Sequence, residues 1–507
     1  MPGNRDIEIA WKYHNATKHS YASIRTNPHT LDWNNKPLLF KIYPTLEVTR
    51  LPREARQTGV AALSAIASTA AGLSRAGGLN LESLAQLLFL SAGITKSRKY
   101  DGQEIFFRAA ACTGALYEIE LYLVCGDLPD LAAGVYHFGV AEFGLRQLRA
   151  GDYRALIADA SSNPQSIAEA PLTIICTGTY WRNAWKYQAR TYRHFGWDNG
   201  TIVANMLAVS QALGASARVV AGFLDDPVNR LLDLDTQREV AFSLVPLGSG
   251  AAAGPSAGQL TPLGLPLLPL SKTEVDYPLM REMHEASSLT SEGELHAYAS
   301  NSIATSKHDS KSKLIELPKV PDSELPADVI EQVILGRGST RRFAQAPITI
   351  AQLATILERS TGDLPADFTP RGAHLNDLYL IVNAVEGLAS GAYFYHREQH
   401  ALELLRHGNF RKLAGYLGLE QQLPADASVA IFFLADLNRI LAAYGNRGYR
   451  ATQLEAGILG GKMYLAAYAQ RLGASGLTFY DDDVVQFFSP HAQGKSAIFL
   501  MAVGRSA

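Results

Sequence analysis

At 507 residues the chain is long enough for two to four domains, each with its own core. Its 47% hydrophobic and 19% charged residues are those of a globular protein and exclude a disordered or fibrous one. Lys+Arg 46 against Asp+Glu 48 leaves a formal charge of −2, too weak a field to predict nucleic acid or an anionic membrane as a partner.

The start, MPGNRDIEIAWKYHNATKHS, has no apolar core and predicts no secretory signal. No run of about 18 apolar residues occurs, so no membrane span is expected and a cytoplasmic location is the default. Residues 1–50 are polar and aromatic with three prolines, Pro28, Pro37 and Pro44, and read as an extended arm or small lead-in. A first unit follows over residues 51–248. Residues 56–74 are Ala-rich and helical in pattern, and 79–91 (LNLESLAQLLFLS) predict an amphipathic helix with Asn80 as N-cap. Residues 119–124, 134–138 and 172–177 predict strands, the last apolar and β-branched. Residues 181–214 (WRNAWKYQARTYRHFGWDNGTIVANMLAVSQALG) predict one long helix ending at Gly214. Strands are expected at 217–223 and 240–247, around a short helix at 226–232 with Pro227 in its first turn. Residues 249–330 read as a connector, Gly/Ala/Ser/Pro-rich at its start and Ser/Lys-rich at 300–313, with 274–286 able to pack on a domain surface.

Residues 331–507 repeat the first unit. Tyr187, Tyr192, Arg193 and Gly200 recur as Tyr444, Tyr449, Arg450 and Gly457, each 257 positions on. The strands at 120–125, 134–138 and 172–177 recur at 377–382, 391–395 and 429–434 at the same offset, as does Asp226 at Asp483, and the helix at 79–93 recurs at 348–362. Shared markers in one order over nearly the whole unit predict two domains of one fold, packed as a pseudo-dimer within the chain. One difference separates the copies: Lys186 becomes Ala443.

Three stretches carry candidate chemistry. LGRGSTRRF (335–343) gathers Arg337, Ser339, Arg341 and Arg342, a set suited to a phosphate or a polar heteroaromatic ring, or to a solvated basic turn. The matching positions 68–73 of the first unit carry no such cluster. RAAACTGALYEIE (108–120) offers small residues for close approach of a flat ligand and a hydroxyl at Thr113; it equally suits a tight turn before a strand. Lys186 beside Tyr187 is either a base with a lowered pKa or a surface lysine next to a packed tyrosine. Cys112, Cys125 and Cys176 lack metal-type spacing and read as small core residues. The histidines lack it too, so no metal site is expected, and without GxGxxG or GxxxxGK[ST] neither a Rossmann nor a P-loop site is predicted.

Taken together, YHNATKHS, LGRGSTRRF, RAAACTGALYEIELYLV and KYQARTYR resemble a SagB/ThcOx-type dehydrogenase, a branch of the FMN-dependent nitroreductase-like flavoproteins. The resemblance covers nearly the whole chain. It implies an α+β fold of two tandem nitroreductase-like domains, each a central, mostly antiparallel sheet flanked by helices. It also implies FMN at the domain interface, gripped by Arg337, Ser339, Arg341 and Arg505 from the second domain. Thr113, Gly114, Ala115 and Leu116 of the first domain would cover the ring, with Lys186 as catalytic base and Tyr187 orienting the substrate. Ala111-Cys112 stands where the family has Pro-Ser, and Glu118 where it has proline. Because the retained halves complement each other, one complete site and one decayed site per chain are expected. The implied reaction oxidises thiazoline or oxazoline rings of a ribosomally made peptide to thiazole or oxazole, with dioxygen as acceptor. A cyclodehydratase or other biosynthetic enzymes would be partners, and further oligomerisation is open. An NAD(P)H-dependent nitro- or flavin reductase, a small-molecule flavin oxidase and a non-catalytic partner subunit are the alternatives.

Overall fold

A computed structural model describes residues 3–26, 28–53, 56–67, 79–100, 103–255, 260–303 and 313–507. Two antiparallel sheets organise it. The first is built from β1 (Thr49–Arg50), β2 (Ile119–Cys125), β3 (Gly134–Gly139), β4 (Gly144–Ala150), β5 (Leu172–Thr179) and β6 (Glu239–Leu247), in the order β1-β4-β3-β2-β5-β6. The second contains β7 (Leu314–Glu316), β8 (Asp377–Val382), β9 (Gly391–His396), β10 (Ala401–His407), β11 (Val429–Ala435), β12 (Gly473–Leu477) and β13 (Ser496–Gly504), in the order β12-β13-β11-β8-β9-β10-β7. Register repeats along with sequence: Glu120 faces Thr177 across β2–β5, and Asp377 faces Leu434 across β8–β11. β5 and β11 are buried along their whole length, which is why both read as unbroken apolar runs.

The predicted strands at 119–124, 134–138, 172–177 and 240–247 are present, as are their copies. The helix α2 (Leu81–Ala92) starts at Asn80, which forms a capping box with Ser83. The region 217–223 is corrected: it makes only isolated bridges, because Val219 pairs with Ala366 of the other half rather than along one sheet edge. The arm is corrected too. It carries α1 (Glu8–Ala16), whose Tyr13 and His14 are buried. The connector contributes α6 (Pro278–Ala286), α7 (Glu292–Ser300) and the strand β7, which joins the second sheet. Of the helix expected at 56–74 the structure has Ala62–Ala67; positions 68–73 and most of 300–313 lie outside the described residues.

The largest correction falls on 181–214. It is two helices, α3 (Tyr180–Tyr187) and α4 (Thr191–Ala212), parted where Gln188 takes φ 50° and ψ −141°. The second copy breaks at the same place: α9 (Leu437–Tyr444) and α10 (Asn446–Ala469) meet at Gly445, φ 64° and ψ −156°. Left-handed backbone ends the helix at Tyr187 and at Tyr444 and turns the chain. The long members α4 and α10 then cross backbone to backbone. A Cβ on Gly200 would lie 2.4 Å from the Gly457 carbonyl carbon, and one on Gly457 would lie 2.5 Å from the Trp197 oxygen. The glycine shared by both copies is thus the crossing point of the pseudo-dimer.

Each half also ties into the other through a buried carboxylate. Asp481, at the start of α11 (Asp481–Phe488), accepts from Arg193 at 2.6 Å and Arg190 at 3.1 Å. Asp225, at the start of α5 (Asp225–Leu231), accepts from Arg447 at 2.7 Å and Arg450 at 2.8 Å. The arginines recur at the 257 offset, but the acids that share a role are Asp225 and Asp481, not the aligned Asp226 and Asp483.

Candidate functional site

Between the halves lies a cleft of about 420 Å³. Its first wall is the loop leading into β2. Thr113–Ala115 form a short turn with Gly114 at φ 66°, and Tyr187, the last residue of α3, rises against it. A Cβ on Gly114 would stand 2.8 Å from the Tyr187 hydroxyl, so only glycine lets the two meet. The second wall comes from the other half: Ser339, Arg341, Tyr464, Phe499 and residues 475–478. Gly476 N–H donates to Tyr464 Oη at 2.6 Å, and a Cβ there would press on the Phe499 ring at 2.9 Å, which keeps this wall flat.

Of the ten residues singled out from sequence, the structure brings seven into this lining: Thr113, Gly114, Ala115, Lys186, Tyr187, Ser339 and Arg341. Three stand elsewhere. Leu116 is buried in the core at 2% exposure. Arg337 is spent holding the loop of the other half, its Nε donating to Ala109 O at 2.9 Å and Nη2 to Arg108 O at 3.2 Å. Arg505 turns outward and donates to Pro347 O at 2.9 Å. Lys186 is exposed to the cleft. Partial burial, followed by the charges of Arg341 and Lys36, holds its ammonium below the ordinary lysine range. Burial, followed by the nearby Asp198, pushes the Tyr187 phenol up.

Several lining residues escaped sequence reasoning. Asp198, on α4, accepts from Thr113 N at 2.8 Å and Thr113 Oγ1 at 2.9 Å and so pins the loop. Its counterpart Glu455 does the same for Leu375 and Asn376. The acid-for-acid match at the 257 offset was a readable signal. Cys112 is corrected from a core residue to a partly exposed one in the cleft wall. Its thiol donates to Asp198 Oδ2 at 3.2 Å and lies 3.5 Å from Glu118 Oε2. The three groups sit within 4.8 Å of one another. Burial pushes Glu118, Asp198 and the thiol above their ordinary values, and the thiol's contacts tie the three into one buried cluster. His194 and Trp197 complete this wall.

Among the described residues, the pseudo-symmetric position is covered. Where residues 476–478 line the cleft, the counterparts 219–221 are covered by the loop of the second half. Val219 N–H donates to Pro365 O at 2.8 Å, and Asp367 accepts from Ala221 N at 2.9 Å and Gly222 N at 2.7 Å. Tyr298 of α7 fills what remains: it lies 5.2 Å from the ring of Tyr444, the counterpart of Tyr187, and packs directly on Gly222.

Comparison with known proteins agrees with this architecture. Residues 334–505, most of the second half, match the nitroreductase family. A Methanocaldococcus jannaschii protein assigned as a nitroreductase is 26% identical over 200 residues, 38% of this chain and 96% of its own length. A solved structure from Anabaena variabilis, also assigned as a nitroreductase, superposes with a TM-score of 0.78 at 26% identity, over 98% of this chain and 99% of that one. The fold is therefore two tandem nitroreductase-like domains forming an intramolecular pseudo-dimer.

Proposed function

We propose that the chain is an FMN-dependent oxidoreductase with one site, in the open cleft, that oxidises azoline rings of a peptide to azoles. The observation that carries this reading is the placement of the Lys186-Tyr187 pair. The helix break at Gln188 delivers both residues to a cleft that both halves line, and among the described residues the position beside Ala443 is covered.

The cleft fits a flat, anionic cofactor at two points. Gly114 and Gly476, where a Cβ would clash with Tyr187 and with Phe499, let those rings pack close along its walls, and Arg341 is an exposed cation in the lining with no carboxylate partner among the described residues. The loop Thr113–Ala115 and the Gly476 wall would hold the ring, and Ser339 and Arg341 the phosphate. Arg337 and Arg505 keep other partners, so the grip is narrower than the resemblance implies. When bound, FMN would supply the two-electron acceptor for a hydride and pass the electrons to dioxygen. The chain's own part is acid–base chemistry. Lys186, as the neutral amine, takes the proton from the ring carbon, and the Tyr187 hydroxyl orients the substrate. Asp198 keeps the loop in register through Thr113. A cyclodehydratase-type enzyme, which makes such rings, would act before this one.

The test is aerobic incubation of the FMN-loaded protein with a thiazoline-bearing peptide, read by mass spectrometry. Loss of two hydrogens per ring is expected; unchanged peptide mass sinks the azoline reading. A second reading, an NAD(P)H-dependent nitro- or flavin reductase, is favoured by the two relatives assigned as nitroreductases. Fast anaerobic bleaching of bound FMN by NADPH would select it.

A further inference from the structure

We infer that His194 is a fixed hydrogen-bond acceptor of the cleft, set to take an N–H from the bound ligand. Its ring lies in the lining, 1% exposed, edge-on to Tyr187 at 4.8 Å and tilted against Trp197 at 4.9 Å. Its Nδ1 meets Asn183 Oδ1 at 2.8 Å. The amide orientation decides the tautomer. Asn183 Nδ2 points to the Thr113 carbonyl at 3.5 Å, which only accepts, and Thr191 Oγ1 donates to Asn183 Oδ1 at 2.9 Å. Oδ1 is therefore the atom facing the imidazole. A carbonyl oxygen only accepts, so Nδ1 carries the proton and Nε2 keeps its lone pair. Nε2 has no protein partner among the described residues. Burial, followed by the Arg190 charge, disfavours the imidazolium, so the ring stays neutral.

The repeat supplies an independent argument. At the positions equivalent to Asn183, Thr191, His194 and Trp197 the second copy has Ile440, Gly448, Ala451 and Leu454. Like Lys186, the whole assembly stands only in the copy whose cleft is open. Arg341, an exposed cation of that lining, only donates. A neutral acceptor held in one tautomer complements that donor and, unlike a hydroxyl that can also donate, selects a ligand that presents an N–H. Two sources offer that chemistry, the imide N–H of a flavin ring and the backbone amide of a peptide. This inference rests on the reading of the cleft as a flavin and peptide site.

His194→Phe removes the lone pair while keeping the ring contacts with Tyr187 and Trp197. Flavin affinity is measured by FMN fluorescence quenching, and substrate handling by KM and kcat for a thiazoline peptide. A KM raised about tenfold, the size of one lost hydrogen bond, with FMN affinity unchanged, assigns the acceptor to the peptide. An equal loss of FMN affinity assigns it to the flavin ring. KM and FMN affinity both unchanged in His194→Phe overturn the inference. Asn183→Leu frees the tautomer without touching His194 and should give a smaller loss of the same sign. Nitrogen-15 NMR of the ligand-free protein reads the proton directly: His194 protonated on Nε2 overturns the inference. Failure of the wild-type protein to take up FMN, with Nδ1 protonated, would count against the flavin site and leave the tautomer intact.

Discussion

Lys186 and Gln188 carry the residue-scale consequences. Lys186→Ala should leave FMN content unchanged and cut turnover by about 10²–10⁴-fold, checked by flavin absorbance and steady-state kinetics. In the proposed mechanism Lys186 acts as the neutral amine, so kcat/KM should rise with pH and level off above the Lys186 pKa. That pKa lies below the usual lysine value because of partial burial and then Arg341 and Lys36. Lys186→Ala should flatten the rise. Gln188 occupies backbone that glycine tolerates and other residues pay about 1–3 kcal/mol to adopt. Gln188→Gly should therefore raise Tm or leave it unchanged. Gly445→Gln should lower Tm, since a Cβ there would stand 2.2 Å from the Asn4 carbonyl oxygen. Opposite signs at equivalent positions are the expected result of thermal melts.

The helices and their caps act as clamps. Each half contributes the acid that neutralises two buried arginines at the start of the other half's long helix. Burial alone would raise the Asp481 carboxyl, but Arg190 and Arg193 outweigh it and hold the group well below the usual carboxylate range. A carboxylate depressed by folding stabilises the native state above its unfolded pKa, about 4, and loses that contribution as pH falls toward its folded value. Asp481→Asn leaves two arginines buried without their anion and should cost about 3–5 kcal/mol in urea unfolding at pH 7. The difference from wild type should shrink as pH drops below about 4. An unchanged midpoint at neutral pH would show that the clamp contributes nothing.

The whole molecule is a duplicated fold with an open cleft whose counterpart is covered among the described residues. The bridge of Val219 to Ala366, the Asp367 cap and the Tyr298 plug account for the closure. Flavin released by denaturation should therefore amount to one FMN per chain, and two per chain would refute the single-site reading. Tyr298→Gly removes the plug but leaves the backbone bridge, so the count should remain one.

Much of this could be read from local pattern. The strands, the cap at Asn80, the duplication and the loss of Lys186 in the second copy each depend on residues close in sequence, or on direct comparison of two aligned stretches. The acid pair Asp198/Glu455 and the change of His194 to Ala451 were equally legible there. The sequence by itself determined two copies of one fold and that Lys186 stands in only one of them, because side-chain periodicity and composition encode local structure. Tertiary structure alone decided that the 181–214 helix breaks at the proposed base, since Gln188 is not a residue that announces a left-handed turn. It decided that Arg337 and Arg505 face away from the cleft, because their carbonyl partners lie on separate segments. It also decided that one cleft stays open while the other is filled. That outcome depends on contacts such as Asp367 with Gly222 and Tyr298 with Tyr444, between positions more than a hundred residues apart, for which no local pattern exists.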